Sequence, residues 1–128
     1  MKFILGLLVA LGVPYAFENM ALAGDLKEPV MIIADGDLDT CGVGKVTGLN
    51  PKGDNFLAVR AGPGAKFKLL DKIHTDDLVW MFQDKGDWIG IVYGSDDISC
   101  SPVKADKPYD GPGKQGWVFK KYITLIAG

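Results

Sequence analysis

The chain is poor in the residues that carry chemistry. It has one histidine, His74, so a zinc site built from several histidines is excluded. Its two cysteines, Cys41 and Cys100, are far apart in the sequence and form no C-x-x-C, which removes a thioredoxin-like reading. Positive charge is not gathered into a stripe: 14 basic residues stand against 16 acidic ones, and the only local pairs are Lys66/Lys68 and Lys120/Lys121. Nucleic acid, whose backbone demands a basic surface, is therefore not an expected partner. Helical periodicity is absent after the first two dozen residues, and the longest apolar run, Phe3 to Val13, falls short of the roughly 20 residues a membrane span needs.

That run has another meaning. Met1-Lys2 supplies a charged start, Phe3 to Val13 a hydrophobic region, and Ala21-Leu22-Ala23 a small-residue cleavage site. The three together predict a secretory signal peptide over residues 1–23, with a periplasmic or secreted chain starting at Gly24. The competing reading, an uncleaved anchor, is opposed by Glu18 and Asn19 ahead of the site. The chain from Gly24 onward is about a hundred residues, the size of one domain.

Turn signals divide this part into short β-prone stretches. Val30–Ala34 reads as an accessory strand or as the tail of a polar lead, Asp35–Gly44 as a turn-rich stretch, and Lys45–Gly48 as the start of a strand. Asn50–Asn55 reads as a loop joining that strand to Phe56–Ala61 in a hairpin. Within Phe56–Arg60, alternation places Leu57 and Val59 on the core side and turns Arg60 away, beside the bend Gly62-Pro63-Gly64. Leu69–Ile73 leads to a turn at His74–Asp77. Leu78–Gln83 and Trp88–Tyr93 form the clearest hairpin, through Asp84–Asp87. A long polar, proline-containing loop, Ser95 to Lys114, holds Cys100 and needs a brace or a function. Gly116–Phe119 is a strand, Lys120–Tyr122 a tight helical turn, and Ile123–Ile126 a closing strand. The expected class is all-β, a small partly open barrel.

Motifs that imitate active sites fail on their spacing. Asp35-Gly36-Asp37-Leu38-Asp39 opens like a calcium loop, but the sixth and twelfth positions hold Thr40 and Val46 instead of Gly and Glu. Gly42–Gly48 has the wrong glycine spacing for a dinucleotide loop and no helix after it. His74 lies in a turn with no nucleophile beside it. The neighbouring carboxylates Asp76-Asp77 and Asp96-Asp97 point to opposite sides of an extended chain and make no acid/base couple. No catalytic residue, metal or cofactor is expected. Cys41 and Cys100 suit a structural disulfide in an exported protein, two buried thiols, or redox or metal chemistry.

Aromatic residues remain: Trp80, Trp88, Trp117, Tyr93, Tyr109 and Tyr122. Such side chains fill small cores and also dominate binding hot spots. Trp117 reads as core. Trp88 and Tyr122 divide between core and ligand contact. Tyr109, in a loop between Pro108 and Asp110, reads as the best exposed contact.

Three segments taken together resemble the bacterial SH3-like domain. They are Val59-Arg60-Ala61-Gly62-Pro63-Gly64, the strand from Trp88 to Tyr93, and Gly116-Trp117-Val118 running on to Tyr122-Ile123. The likeness covers about Val43 to Ile126, giving an SH3-like domain at 43–128 behind an N-terminal extension at 24–42. It is closer still to solitary exported SH3-like proteins of Gram-negative bacteria, in Asp39–Gly42, Leu49–Arg60, Gly90–Gly94 and Tyr109–Pro112. Members of that group often carry two further cysteines, at the positions of Phe82 and Gly113 here. Their joint absence implies a lost second bridge and supports pairing of Cys41 with Cys100. The resemblance implies a non-catalytic binding module for a cell-wall peptide or peptidoglycan component, or else a docking or inhibitor subunit of an envelope complex. The implied ligand contacts are Arg60, Trp88, Tyr93, Tyr109 and Tyr122, in a groove between the turn after Arg60 and the Ser95–Lys114 loop.

Overall fold

The computed structural model describes residues 25–128, so the signal peptide and cleavage site expected from the sequence lie outside the described residues. Those residues form nine strands and one 3-10 turn at Lys120–Tyr122, with no α-helix among them. The strands are β1 (Met31–Ile32), β2 (Gly42–Val46), β3 (Leu57–Arg60), β4 (Leu69–Ile73), β5 (Leu78–Lys85), β6 (Trp88–Tyr93), β7 (Lys107–Pro108), β8 (Lys114–Phe119) and β9 (Ile123–Ala127). Seven of them make one antiparallel sheet in the order β4-β3-β8-β6-β5-β2-β9, and β1 pairs with β7 in a separate ribbon. The large sheet is open, with β4 and β9 as its edges.

The β5–β6 hairpin is the local framework. Lys85 pairs with Trp88 across Gly86-Asp87, and Gly86 sits at φ 61°, the left-handed geometry that a two-residue hairpin turn requires at its first position. A bulge between Met81 and Gln83 inserts Phe82 as an extra residue, and Phe82 is buried.

In β6 and in the middle of β8 successive residues are buried, so both faces of these strands are covered. One core gathers Val46, Leu57, Val59, Ile73, Val79, Ile89, Ile91, Tyr93 and Val118, drawn from β2 to β6 and β8, so the sheet curves about it. The other gathers Val30, Ile32, Cys41, Phe82, Val92, Ile98, Tyr109 and Trp117. Leu57 and Val59 fall in the first, as strand alternation requires, and Trp117 is fully buried in the second.

An N-terminal strap closes the second core. The Trp117 indole Nε1–H donates to the Glu28 carbonyl at 2.7 Å. The Val30 and Met31 amides donate to the side-chain oxygens of Gln115 and Gln83, at 3.0 and 2.9 Å. The Tyr109 amide donates to the Val30 carbonyl at 2.8 Å. The accessory segment therefore joins β7 and not the main sheet.

The Cys41–Cys100 disulfide is present, with Cα atoms 4.9 Å apart. It anchors the long loop, helped by the Thr40 amide, which donates to the Cys100 carbonyl at 2.8 Å.

The strand after the turn-rich stretch differs from its expected form. It begins at Gly42, earlier than Lys45, and it does not form a hairpin with β3. Instead β2 lies between β5 and β9. Gly44 permits this, since a Cβ there would meet Ile123 Cγ2 at 2.6 Å. The Asn50–Asn55 segment is thus a crossover connection, and Leu49 beside it packs on the first core.

Candidate functional site

A cleft of about 430 Å3 opens at the end of the sheet where β5 begins, β6 ends and β8 begins. Its wall is formed by Ile73, Leu78, Trp80 and Tyr93, and its rim by Asp77, Gly94, Ser95, Asp96 and Lys114. Leu78 and Trp80 are two residues apart on β5 and so share a side of the strand. Leu78 is 47% exposed and Trp80 is half-buried, so this wall presents apolar surface to solvent.

The rim is held by two turns. On one side the Asp77 carboxylate accepts the His74 amide at 2.8 Å, and the Asp77 amide donates back to the His74 carbonyl at 3.0 Å. Asp76 takes a φ of 73° to close this turn, which is pinned to β2 by hydrogen bonds between Val46 and the backbone of Asp76 and Asp77. On the other side the Ser95 hydroxyl oxygen accepts the Asp97 amide at 3.1 Å.

Charge at the cleft is arranged around Tyr93. Its hydroxyl donates to Asp71 Oδ2 at 2.9 Å, and Lys114 Nζ lies 3.7 Å from the same oxygen. Burial pushes the Tyr93 hydroxyl well above its ordinary pKa, and the hydrogen bond to Asp71 and that carboxylate's charge push it further. Tyr93 is thus a neutral donor throughout the physiological range. Among the described residues no group of three or more His, Cys, Asp or Glu stands together to hold a metal ion.

Of the five contacts implied by resemblance, Tyr93 alone lines this cleft. Arg60 is spent on its own bend, where Nη1 donates to the Phe67 carbonyl at 3.0 Å. Trp88 and Tyr122 flank Phe119, with ring centroids 5.6 and 6.0 Å from it. Tyr109 is buried and not an exposed contact, a correction with a clear cause. Its ring packs 5.2 Å from Phe82, and its hydroxyl donates to the Pro112 carbonyl at 2.6 Å. Burial, and then the charge of Asp110, raises its pKa. This cleft differs from the groove that the resemblance implies. The two ends of the Ser95–Lys114 loop do bound the cleft, but the opposite wall is the β4–β5 turn rather than the turn after Arg60.

Leu78, Trp80, Asp71 and Lys114 were not marked as contacts by their sequence context. The available signal was the apolar, aromatic alternation of Leu78 and Trp80 next to an acidic turn.

A second groove, of about 530 Å3, runs between Cys41-Gly42 and β9. It is lined chiefly by Met81, Ile89, Ile123 and Leu125, with the Asp84–Lys120 ion pair (2.9 Å) at its margin. No family model matches the chain, and no curated protein or solved structure matches it.

Proposed function

We propose that this chain is an exported, non-catalytic SH3-like module that binds a short cell-wall peptide in the cleft of Trp80 and Tyr93. The motif order supports the SH3-like reading, since β3 runs into the Gly62–Gly64 bend and the other two motifs fall on β6 and on β8 with its adjoining 3-10 turn. A disulfide suits an oxidising compartment. The observation that carries the functional reading is the cleft itself: an open apolar wall with an indole, closed by polar groups of both signs. Such a surface grips a peptide through shape, apolar contact and a few placed charges.

Retention on purified sacculi tests this. The chain should sediment with them, and Trp80→Ala should abolish retention while far-UV circular dichroism stays unchanged. Absence of retention by the native chain, or full retention by Trp80→Ala, would overturn the assignment.

A second reading, docking of an envelope protein, is favoured by β9. Among the described residues its outer edge has no partner strand, and Leu125 and Ile126 are 62% and 52% exposed. Edges of this kind accept a further strand. Co-purification of a stable protein partner without sacculus retention would select this reading.

A further inference from the structure

The charges around the cleft narrow the ligand further. Three side chains on its rim are charged: Asp77, Asp96 and Lys114. Lys114 Nζ lies 3.7 Å from the Asp71 carboxylate, which also receives the Tyr93 hydroxyl, so the one cation on the rim already has an acidic partner. Among the described residues neither Asp77 nor Asp96 has a lysine or arginine within ion-pair distance. Asp77 uses Oδ2 for the His74 amide, and both carboxylates are exposed to solvent. The cleft therefore offers net negative charge beside the partly buried indole of Trp80, which also packs on the second core.

Resting on the peptide-binding reading above, we infer that the cleft selects a wall peptide bearing a free side-chain ammonium, of the kind a diamino acid supplies. The methylene stem lies along Leu78 and Trp80, and the ammonium meets the Asp77 and Asp96 carboxylates. Three physical effects favour this ligand over others. A long apolar stem with a charged tip suits an apolar wall with a polar rim. An ammonium is attracted both by a tryptophan face and by carboxylates. A ligand carboxylate would meet two like charges and would have to displace Asp71 from Lys114, so acidic peptides are selected against. The same field enriches cationic ligands near the cleft at low ionic strength, and added salt screens it.

Two experiments test the inference. In the first, Ala-Lys-Ala, its Nε-acetyl derivative and Ala-Glu-Ala, each N-terminally acetylated and C-terminally amidated, are titrated into the 15N-labelled chain at low salt, with the Trp80 indole N–H resonance as the readout. The lysine peptide should move that resonance and bind roughly three- to tenfold tighter than the acetylated one, the range that one or two exposed ion pairs provide. Asp96→Asn should remove part of the difference and Asp77→Asn/Asp96→Asn nearly all of it, as should high salt. Asp96→Asn is the safer variant, since Asp77 also closes a turn. Equal binding of the two lysine peptides, preference for the glutamate peptide, or no response at Trp80 would overturn the inference.

The second compares native sacculi with sacculi whose amines have been acetylated. Loss of retention on the acetylated material is the expected result. Equal retention on both would overturn the ammonium assignment and leave the peptide-binding reading standing. Retention on neither would overturn both.

Discussion

Tyr93 holds its proton because the folded chain surrounds the hydroxyl with apolar side chains and a carboxylate acceptor. This has a consequence in alkali. In the unfolded chain the phenol ionises near pH 10, whereas in the folded chain it ionises only above that. The unfolded state then binds fewer protons, so stability is fully present below about pH 10 and falls as pH rises beyond it. The urea midpoint should drop steeply above that pH in the native chain and less steeply in Tyr93→Phe, which cannot ionise. At neutral pH the same substitution should cost about 1 kcal/mol, the net value of one hydrogen bond. Trp117 shows a residue-scale dependence of another kind. Trp117→Phe strips the Glu28 carbonyl of its donor and leaves a gap in the second core, so unfolding in urea should show a loss of at least about 2 kcal/mol.

The strap, Asp25 to Ala34, has almost no regular structure of its own. It is held by groups the sheet presents to it: two glutamine amides, the Trp117 indole and the Ala61 carbonyl. Close approach depends on Gly90, where a Cβ would lie 3.0 Å from Val30 Cγ1 and 3.2 Å from Trp117 Cη2. Both neighbours are stiff and fully buried, so neither gives way cheaply. Gly90→Ala should lift the strap before it disturbs the hairpin. Hydrogen exchange should quicken at the Val30 and Met31 amides while the β5–β6 ladder stays protected. Equal loss of protection in both would show that the strap and the hairpin open as one unit.

At the scale of the whole molecule the disulfide matters most. Cys41 and Cys100 are 59 residues apart in sequence, and they join the start of β2 to the long loop. Closing a loop of that size restricts the unfolded chain by about 4 kcal/mol in the chain-entropy model. Cys41→Ala/Cys100→Ala should therefore lower unfolding free energy by several kcal/mol. Thiol reductant should reproduce the loss in the native chain and have no effect on the variant. The second core should loosen first, because Cys41, Ile98 and Tyr109 come to it from the joined segments.

The features readable from residue order were local. The Gly-Pro-Gly bend, the glycine-led hairpin turn, the alternation of Leu57 and Val59, and the short turn at Lys120–Tyr122 each depend on a few adjacent residues and their allowed backbone angles. The all-β class and a cysteine pair suited to a bridge were legible for the same reason. Three features were decided only by tertiary structure. The neighbours of β2 were set by which strands fit closely beside Gly44. The burial of Tyr109 was set by Phe82, which a bulge in a distant strand makes an extra residue. The cleft was set by the meeting of β4, β5, β6 and β8 at one end of the sheet. Strand pairing and side-chain burial are energies of contact between residues remote in sequence, and local backbone preference carries no record of which remote residues will meet.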